Sequence, residues 1–115
     1  MKVSEIRELL NAEVACGGEY ADREVHSACG SDMMSDVLAY VKNQAVLLTG
    51  LVNPQVIRTA DMMDMKCIVL VRGKKPTDDM IRLAEEYEIA LLTTEREMFT
   101  ACGILYSKGL RGRLG

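Results

Sequence analysis

The chain has 115 residues, of which 49% are apolar and 27% charged, and its formal net charge is −3. This composition is typical of one globular domain, so we expect a single domain over residues 1–115, and the acidic balance argues against a nucleic-acid-binding protein. The sequence shows no apolar run near the roughly 20 residues of a membrane-spanning helix and no signal-peptide core, which predicts a cytoplasmic protein.

The first part of the chain predicts short elements. A helix with Ser4 as its N-cap comes first, followed by a strand at Glu13–Cys16 that ends at two glycines. A second strand is expected over Glu24–Ala28. A tight turn at Cys29–Asp32 leads into a helix that runs to about Val41, and Ser31 or Asp32 is its expected N-cap.

From residue 45 the pattern becomes regular. Three continuous apolar runs predict strands buried on both faces of a sheet, at residues 45–49, 67–71 and 89–93. Strands that alternate with helices form parallel sheets, because each helix carries the chain back to begin the next strand. The sequence therefore predicts an α/β fold, a layered sandwich with a mainly parallel sheet of βαβ units.

Each of the three runs is followed by a helix with its own start signal. Asn53–Pro54 combines an N-cap with a proline at the first helical position. Thr77 caps the next helix, and Thr94–Glu97 fits a capping box for the last one, which ends near Gly109.

Residues 48–60 (LTGLVNPQVIRTA) and 69–76 (VLVRGKKP) resemble the DRTGG domain family. The resemblance extends to the opening helix, to the turn at Ala15–Gly18, to Asp22–Val25 and to Leu92–Thr94. It implies a fold similar to the N-terminal domain of HPr kinase, a non-catalytic role and a tendency to dimerise. Such domains occur as inserts in phosphotransacetylases and between the CBS domains of some pyrophosphatases.

The chain departs from the family at the letters that name it. Where many members carry Gly-Asp-Arg and Thr-Gly-Gly, this chain has Gly50–Val52 and Arg72–Lys74. This pattern is similar to a stand-alone subgroup associated with iron hydrogenases and ATP-binding regulators. The resemblance therefore implies a partner enzyme or an ATP-binding regulator, and no cofactor.

Ligands of open parallel sheets bind outside the carboxyl ends of the strands, especially where the strand order reverses. Each of the three loops expected there precedes a helix N-terminus, whose N–H groups and partial positive charge favour an anion. Arg72, Lys74 and Lys75 add cations. We expect a pocket for a phosphate or nucleotide ligand. The candidate ligand-binding residues are Thr49, Gly50, Asn53, Arg58, Arg72, Gly73, Lys74, Thr93 and Thr94.

The same residues also suit a purely structural role. Gly50 and Gly73 can permit tight turns, and Asn53 and Thr94 can serve as helix caps alone. Neither the P-loop motif nor the Rossmann glycine motif is present, so neither strong phosphate-binding signature decides between the two interpretations.

Two further candidate sites lie near the sole histidine in the sequence. His26, Asp32 and Asp36 could hold a metal ion, and Cys29 near a helix N-terminus could be a reactive thiol. Histidine in a strand and aspartate at a helix start more often have structural roles. We therefore predict no metal site and no catalytic residue.

The cysteines support an alternative function. None of the four belongs to a C-x-x-C pair, and their apolar surroundings favour buried, free thiols; they are Cys16, Cys29, Cys67 and Cys102. A redox or metal-delivery accessory protein would need at least two of them to converge. A phosphoryl- or acyl-transfer enzyme, the second alternative, would need a base beside a nucleophile.

The sequence accordingly predicts a non-catalytic ligand-sensing or dimerisation module. It would bind a small anionic or nucleotide ligand and regulate a partner enzyme of energy or redox metabolism. The eight methionines include Met33–Met34 and Met62–Met65, more than one amphipathic face requires. Adaptable thioethers suit a homodimer contact, with core packing as the alternative.

Overall fold

A computed structural model describes residues 1–39 and 44–112. In this part of the chain five strands form one sheet. The strands are β1 (Glu13–Cys16), β2 (Ser27–Gly30), β3 (Ala45–Thr49), β4 (Cys67–Leu70) and β5 (Ala90–Thr93). The helices are α1 (Val3–Leu9), α2 (Met34–Leu38), α3 (Pro54–Met62), α4 (Asp78–Glu86) and α5 (Met98–Ser107), and one turn of 3₁₀ helix spans Gly18–Tyr20.

The strand order is β1-β5-β4-β3-β2. Strands β2 to β5 are parallel, and β1 pairs antiparallel with β5 at one edge. The register places Val46 opposite Cys67 and Ile68 opposite Leu91. The α/β fold with its three consecutive parallel strands is thus confirmed, and β4 and β5 each lie within one residue of the predicted runs.

The helices cover the two faces of the sheet unequally. Right-handed crossovers that all progress in one direction, from β2 to β5, place α2, α3 and α4 on the same face. They bury side chains such as Leu47, Ile68 and Leu91. On the other face, α1 and α5 cover Leu48 and Val69. Every residue of β3, β4 and β5 is buried, which explains their continuous apolar runs.

Two of the predicted helix caps are confirmed. The Asn53 side chain accepts a hydrogen bond from the Gln55 backbone N–H at 2.8 Å, with Pro54 at the first helical position. The Thr77 hydroxyl accepts one from the Met80 N–H at 3.2 Å. Each contact satisfies a donor that the helix itself leaves free.

The first helix and the second strand begin elsewhere than predicted. Helix α1 has Lys2 rather than Ser4 as its N-cap, because the Ile6 N–H donates to the Lys2 carbonyl at 3.1 Å and the Glu5 carboxylate accepts from the Lys2 N–H at 2.9 Å. Strand β2 begins at Ser27 rather than Glu24. The Val25 N–H donates to the Met1 carbonyl, so this part of the predicted strand pairs with the start of the chain and not with β3.

The predicted caps of α2 and α5 are also wrong. Helix α2 begins at Met34 with Met33 as its N-cap, in place of the predicted Ser31 or Asp32. It ends at Leu38, and Val41, its predicted end, lies outside the described residues. The Thr94–Glu97 capping box does not form. Helix α5 has Glu97 as its N-cap, while the Thr94 hydroxyl donates to the Leu10 carbonyl at 2.7 Å.

Arg23 links the amino ends of β4 and β5. The Arg23 guanidinium donates to the carbonyls of Lys66 and Glu88, at 2.9 and 2.8 Å, just before β4 and β5. It also lies over the Tyr20 ring, 4.1 Å from its centroid. Because these carbonyls follow the ends of α3 and α4, the cation lies near the negative ends of both helix dipoles.

Candidate functional site at the carboxyl edge of the sheet

The loops that follow β3, β4 and β5 meet at one edge. The Val71 N–H donates to the Thr49 carbonyl at 3.0 Å, and the Thr94 N–H donates to the Leu70 carbonyl at 2.9 Å. Gly73 donates to the Thr94 carbonyl at 2.9 Å. The structure therefore brings together most of the residues that the sequence singled out, as parallel strands require.

The chain leaves this edge in two directions. After β4 it turns toward α4 on one face, and after β5 toward α5 on the other. Adjacent parallel strands whose helices diverge in this way open a crevice, which is the usual ligand position in such sheets. The strand order does not reverse between β2 and β5. The expected position of a ligand crevice is therefore set by α4 and α5, which lie on opposite faces of the sheet.

Arg72 crosses this edge toward the neighbouring loops. Its guanidinium lies directly against Gly50, where the missing side chain leaves the space. One guanidinium nitrogen lies 3.7 Å from a carboxylate oxygen of Asp32, in the loop after β2. Both side chains are about half exposed. Arg72 also has a left-handed backbone, with φ of 60°, which a non-glycine residue adopts at a cost.

Asp32 organises the end of β3. Its carboxylate accepts hydrogen bonds from the Gly50 N–H at 2.6 Å and from the Thr49 hydroxyl at 3.1 Å. The Thr49 oxygen in turn accepts from the Leu51 N–H at 3.2 Å. The Asp32 carboxylate therefore lies at a strand end beside Arg72, a position in which a phosphate oxygen would also be stabilised.

The edge carries both signs of charge. The Glu95 carboxylate lies against Gly73, and a side chain on that glycine would collide with it. Lys74 and Lys75 are exposed beyond it. Asp32 and Glu95 were not among the candidate binding residues. Asp32 lies in the loop that follows β2. Because β2 pairs in parallel with β3, this loop begins at the same carboxyl edge, and the pairing of β2 is the signal that would identify Asp32.

The other candidate residues have different surroundings. Thr93 and Thr94 are buried, and Thr94 joins the edge to the residue after α1. Arg58 lies on α3 and lines a shallow groove between α3 and α4 together with Asp79 and Arg82. Direct contact of these residues with a ligand stays a prediction.

The metal and reactive-thiol alternatives find little geometric support. His26 is exposed just before β2, and Asp32 follows β2 at its other end, so this pair does not converge. Among residues 1–39 and 44–112, no three His, Cys, Asp or Glu side chains are placed to hold a metal ion. Burial, and then the neighbouring Cys102, raise the pKa of Cys29. A helix N-terminus would lower it.

The remaining thiols also have raised pKa values. Burial raises the pKa of Cys16 and Cys102, and it raises that of the fully buried Cys67 to about 12. A thiol that keeps its proton reacts slowly, because the thiolate is the attacking species.

These features define a layered α/β domain with a polar carboxyl edge. The DRTGG domain family model matches residues 5–107, and the chain belongs to this family. Within the described part of the chain no helix has both the length and the hydropathy to cross a membrane.

A comparison with curated protein sequences gave no match. Among solved structures, the chain is similar to the CBS and DRTGG domains of the regulatory region of Clostridium perfringens pyrophosphatase, solved in complex with its activator, diadenosine tetraphosphate. The TM-score is 0.71 at 16% identity, and the match covers 90% of this chain and 45% of the other. The chain thus spans less than half of that structure, and the likeness concerns the fold.

Proposed function

We propose that this protein is a non-catalytic regulatory module that binds a small anionic ligand of the nucleotide class at the carboxyl edge of its sheet. The observation that carries the proposal is the position of Arg72 against Gly50 and Asp32. A guanidinium in this position can exchange the Asp32 carboxylate for a phosphate, because both offer oxygen acceptors to its planar fork.

The neighbouring loops support the same ligand class. Gly50 leaves room for the Arg72 guanidinium, which therefore lies at the strand end where a ligand would bind. Lys74 and Lys75 add exposed cations that raise the local concentration of an anion. The Clostridium pyrophosphatase region was solved with a dinucleoside polyphosphate activator. By extension, we propose adenine nucleotides or dinucleoside polyphosphates as the first ligands to test.

Ligand binding would be passed to another protein. We propose that the module is cytoplasmic, that it acts as a homodimer and that it regulates a partner enzyme of energy or redox metabolism, or an ATP-binding regulator. The raised pKa values of the Cys29, Cys67 and Cys102 thiols argue against a nucleophilic role for these side chains.

The test is a calorimetric titration with inorganic phosphate, ATP and diadenosine tetraphosphate. Arg72→Ala should weaken binding by about 10- to 150-fold, the equivalent of losing a charge-assisted hydrogen bond of about 1.5–3 kcal/mol. Lys2→Ala is the matched control, since it removes one exposed positive charge that pairs with Asp22 far from the carboxyl edge.

Two results would reject the proposal. One is the absence of binding for all three anions at millimolar concentration. The other is equal affinity of the wild type and Arg72→Ala. Phosphorus NMR of the same mixtures should show unchanged ligand, because a regulatory module binds without turnover.

A further inference from the structure

We infer that two copies of this chain associate through the outer face of α5, with Phe99 of each copy entering a hollow beside Tyr106 of the other. This inference rests on the proposed homodimer and names the surface that forms it.

Helix α5 is apolar on its outer face as well as on its inner one. The inner face carries Ala101 and Leu105, both buried against the sheet. The outer face carries Phe99, the chain's single phenylalanine, which is 90% exposed, and Tyr106, which is 52% exposed. Large apolar side chains on a helix normally face a protein interior, and among the described residues α5 has such an interior on its inner side only.

The apolar positions on the outer side of α5 form a stripe in which Cys102 is half-buried. Phe99, Cys102, Gly103 and Tyr106 follow the spacing i, i+3, i+4, i+7, which places them on one side of a helix. At the centre of the stripe, no heavy atom of the described residues lies within 4 Å of where a Gly103 side chain would begin. A glycine at this point allows another helix to approach closely, since the side chains at the contact set the interaxial distance.

A hollow lies beside the stripe, between α5 and strand β2. It has a volume of about 160 Å³, and its lining includes Gly30, Cys102, Tyr106 and Leu110. Arg111 also lines the hollow, and its guanidinium lies over the Tyr106 ring, 3.9 Å from the centroid. The rest of the lining is largely apolar, so the hollow suits an aromatic side chain from a partner, which packs on the apolar wall and can face the arginine.

An antiparallel pair of α5 helices centred on Gly103 would match these features. In that register Phe99 of one copy lies opposite Ser107 of the other, next to Tyr106 and the hollow. A two-fold axis repeats the contact, so that each copy supplies one aromatic side chain and one hollow. Large aromatic anchors seated in pockets are the usual energetic centres of protein interfaces.

Charge at the two ends of the helix favours the same arrangement. Glu97 caps the start of α5, and Lys108 follows its end. An antiparallel pair brings Glu97 of one copy close to Lys108 of the other, twice. A two-fold axis would therefore pair the stripe of one copy with the stripe of the other, Phe99 with the hollow, and Glu97 with Lys108. For this reason a second copy fits this surface better than an unrelated partner.

The exposed methionines offer a contrasting surface. Met33 and Met62 are 61% and 58% exposed, near α2 and at the end of α3, on the opposite face of the sheet. Met65, from the same run as Met62, is buried in the core. Met33 and Met62 therefore remain the two methionines that this face exposes among the described residues.

Sedimentation velocity over a micromolar concentration series tests the inference. The wild type should sediment as a dimer of the 12.7 kDa chain. Phe99→Asp and Gly103→Glu should each weaken the dimer at least about tenfold, as expected for a hot-spot position. Met62→Asp, which places the same charge on an exposed apolar position of the other face, should remain dimeric. Circular dichroism checks that each variant is folded.

A charge-reversal pair sharpens the test. Glu97→Lys and Lys108→Glu should each weaken the dimer, and the double variant should recover it, because the contact is then restored with its signs exchanged. A dimer that Met62→Asp disrupts and the α5 variants do not would overturn the inference. A monomeric wild type would overturn it together with the proposed homodimer, while the nucleotide titration decides the ligand site independently.

Discussion

The Arg72 guanidinium reaches Asp32 across the end of β3, with a nitrogen-to-oxygen distance of 3.7 Å. The same carboxylate holds the Gly50 N–H at 2.6 Å and the Thr49 hydroxyl at 3.1 Å. Asp32 therefore has two effects. It orders the strand end, and it places a negative charge where the proposed ligand would bring its own.

The first prediction follows from this second effect. Asp32→Asn removes the negative charge but keeps a side-chain oxygen for the Gly50 N–H. Anion affinity should rise by about 1.5- to 5-fold, since exposed ion pairs contribute about 0.2–1 kcal/mol. The calorimetric titration measures it, with Asp22→Asn at the exposed Lys2 pair as the control. Weaker binding by Asp32→Asn would mean that Asp32 supports the ligand rather than competing with it.

The second prediction concerns Gly17, which closes β1. Its φ is 83°, and a side-chain carbon there would lie 2.7 Å from the Ala90 Cα. Gly17→Ala should lower the free energy of unfolding by about 2–4 kcal/mol, from the left-handed backbone and the collision with a strand. Gly18→Ala is the matched control, because its nearest contact is a Val14 methyl carbon at 3.7 Å. Equal urea midpoints for the two variants would contradict the argument.

The third prediction tests the contact between α1 and the carboxyl edge. The buried Thr94 hydroxyl donates to the Leu10 carbonyl at 2.7 Å. Thr94→Val keeps the shape but leaves that carbonyl without this donor, which should cost about 1–3 kcal/mol in urea unfolding. Ser35→Ala, which removes a hydroxyl at an exposed position of α2 on the other face of the sheet, should change stability by less than about 0.5 kcal/mol. A neutral Thr94→Val would show that water replaces the hydroxyl.

The fourth prediction is a pH dependence. Burial raises the Cys67 pKa from 9.0 to about 12, so the folded chain keeps a thiol proton that the unfolded chain loses above pH 9. The stabilising effect is complete below pH 9 and is lost progressively as the pH rises toward 12. In that range the wild type should lose up to about 1.4 kcal/mol per pH unit more than Cys67→Ala.

Urea unfolding at a series of alkaline pH values measures this slope. The variant will be less stable at every pH because it leaves a cavity, so the comparison concerns the slope and not the absolute value. Cys102→Ala should change the pH slope less than Cys67→Ala does, because the Cys102 thiol is only half-buried. If the free energies of unfolding of the wild type and Cys67→Ala fall in parallel with pH, the Cys67 thiol is not the cause of the alkaline loss of stability.

The parts of the fold that the sequence predicted well depend on local signals. The caps at Asn53 and Thr77 bind N–H groups two or three residues away, so the residues that decide them are adjacent in the sequence. Strands β3, β4 and β5 are buried on both faces, and such burial leaves an unbroken apolar run.

The sequence alone thus determined three parallel strands, their helices and the loops in which a ligand site would lie. Only the tertiary structure decided which side chains meet there. Thr94 resembles a helix cap locally, but its hydroxyl bonds Leu10, and Asp32 reaches Gly50 and Arg72 instead of capping α2. A polar side chain with several possible partners takes the one that packing brings within reach, and residues distant along the chain supply that partner.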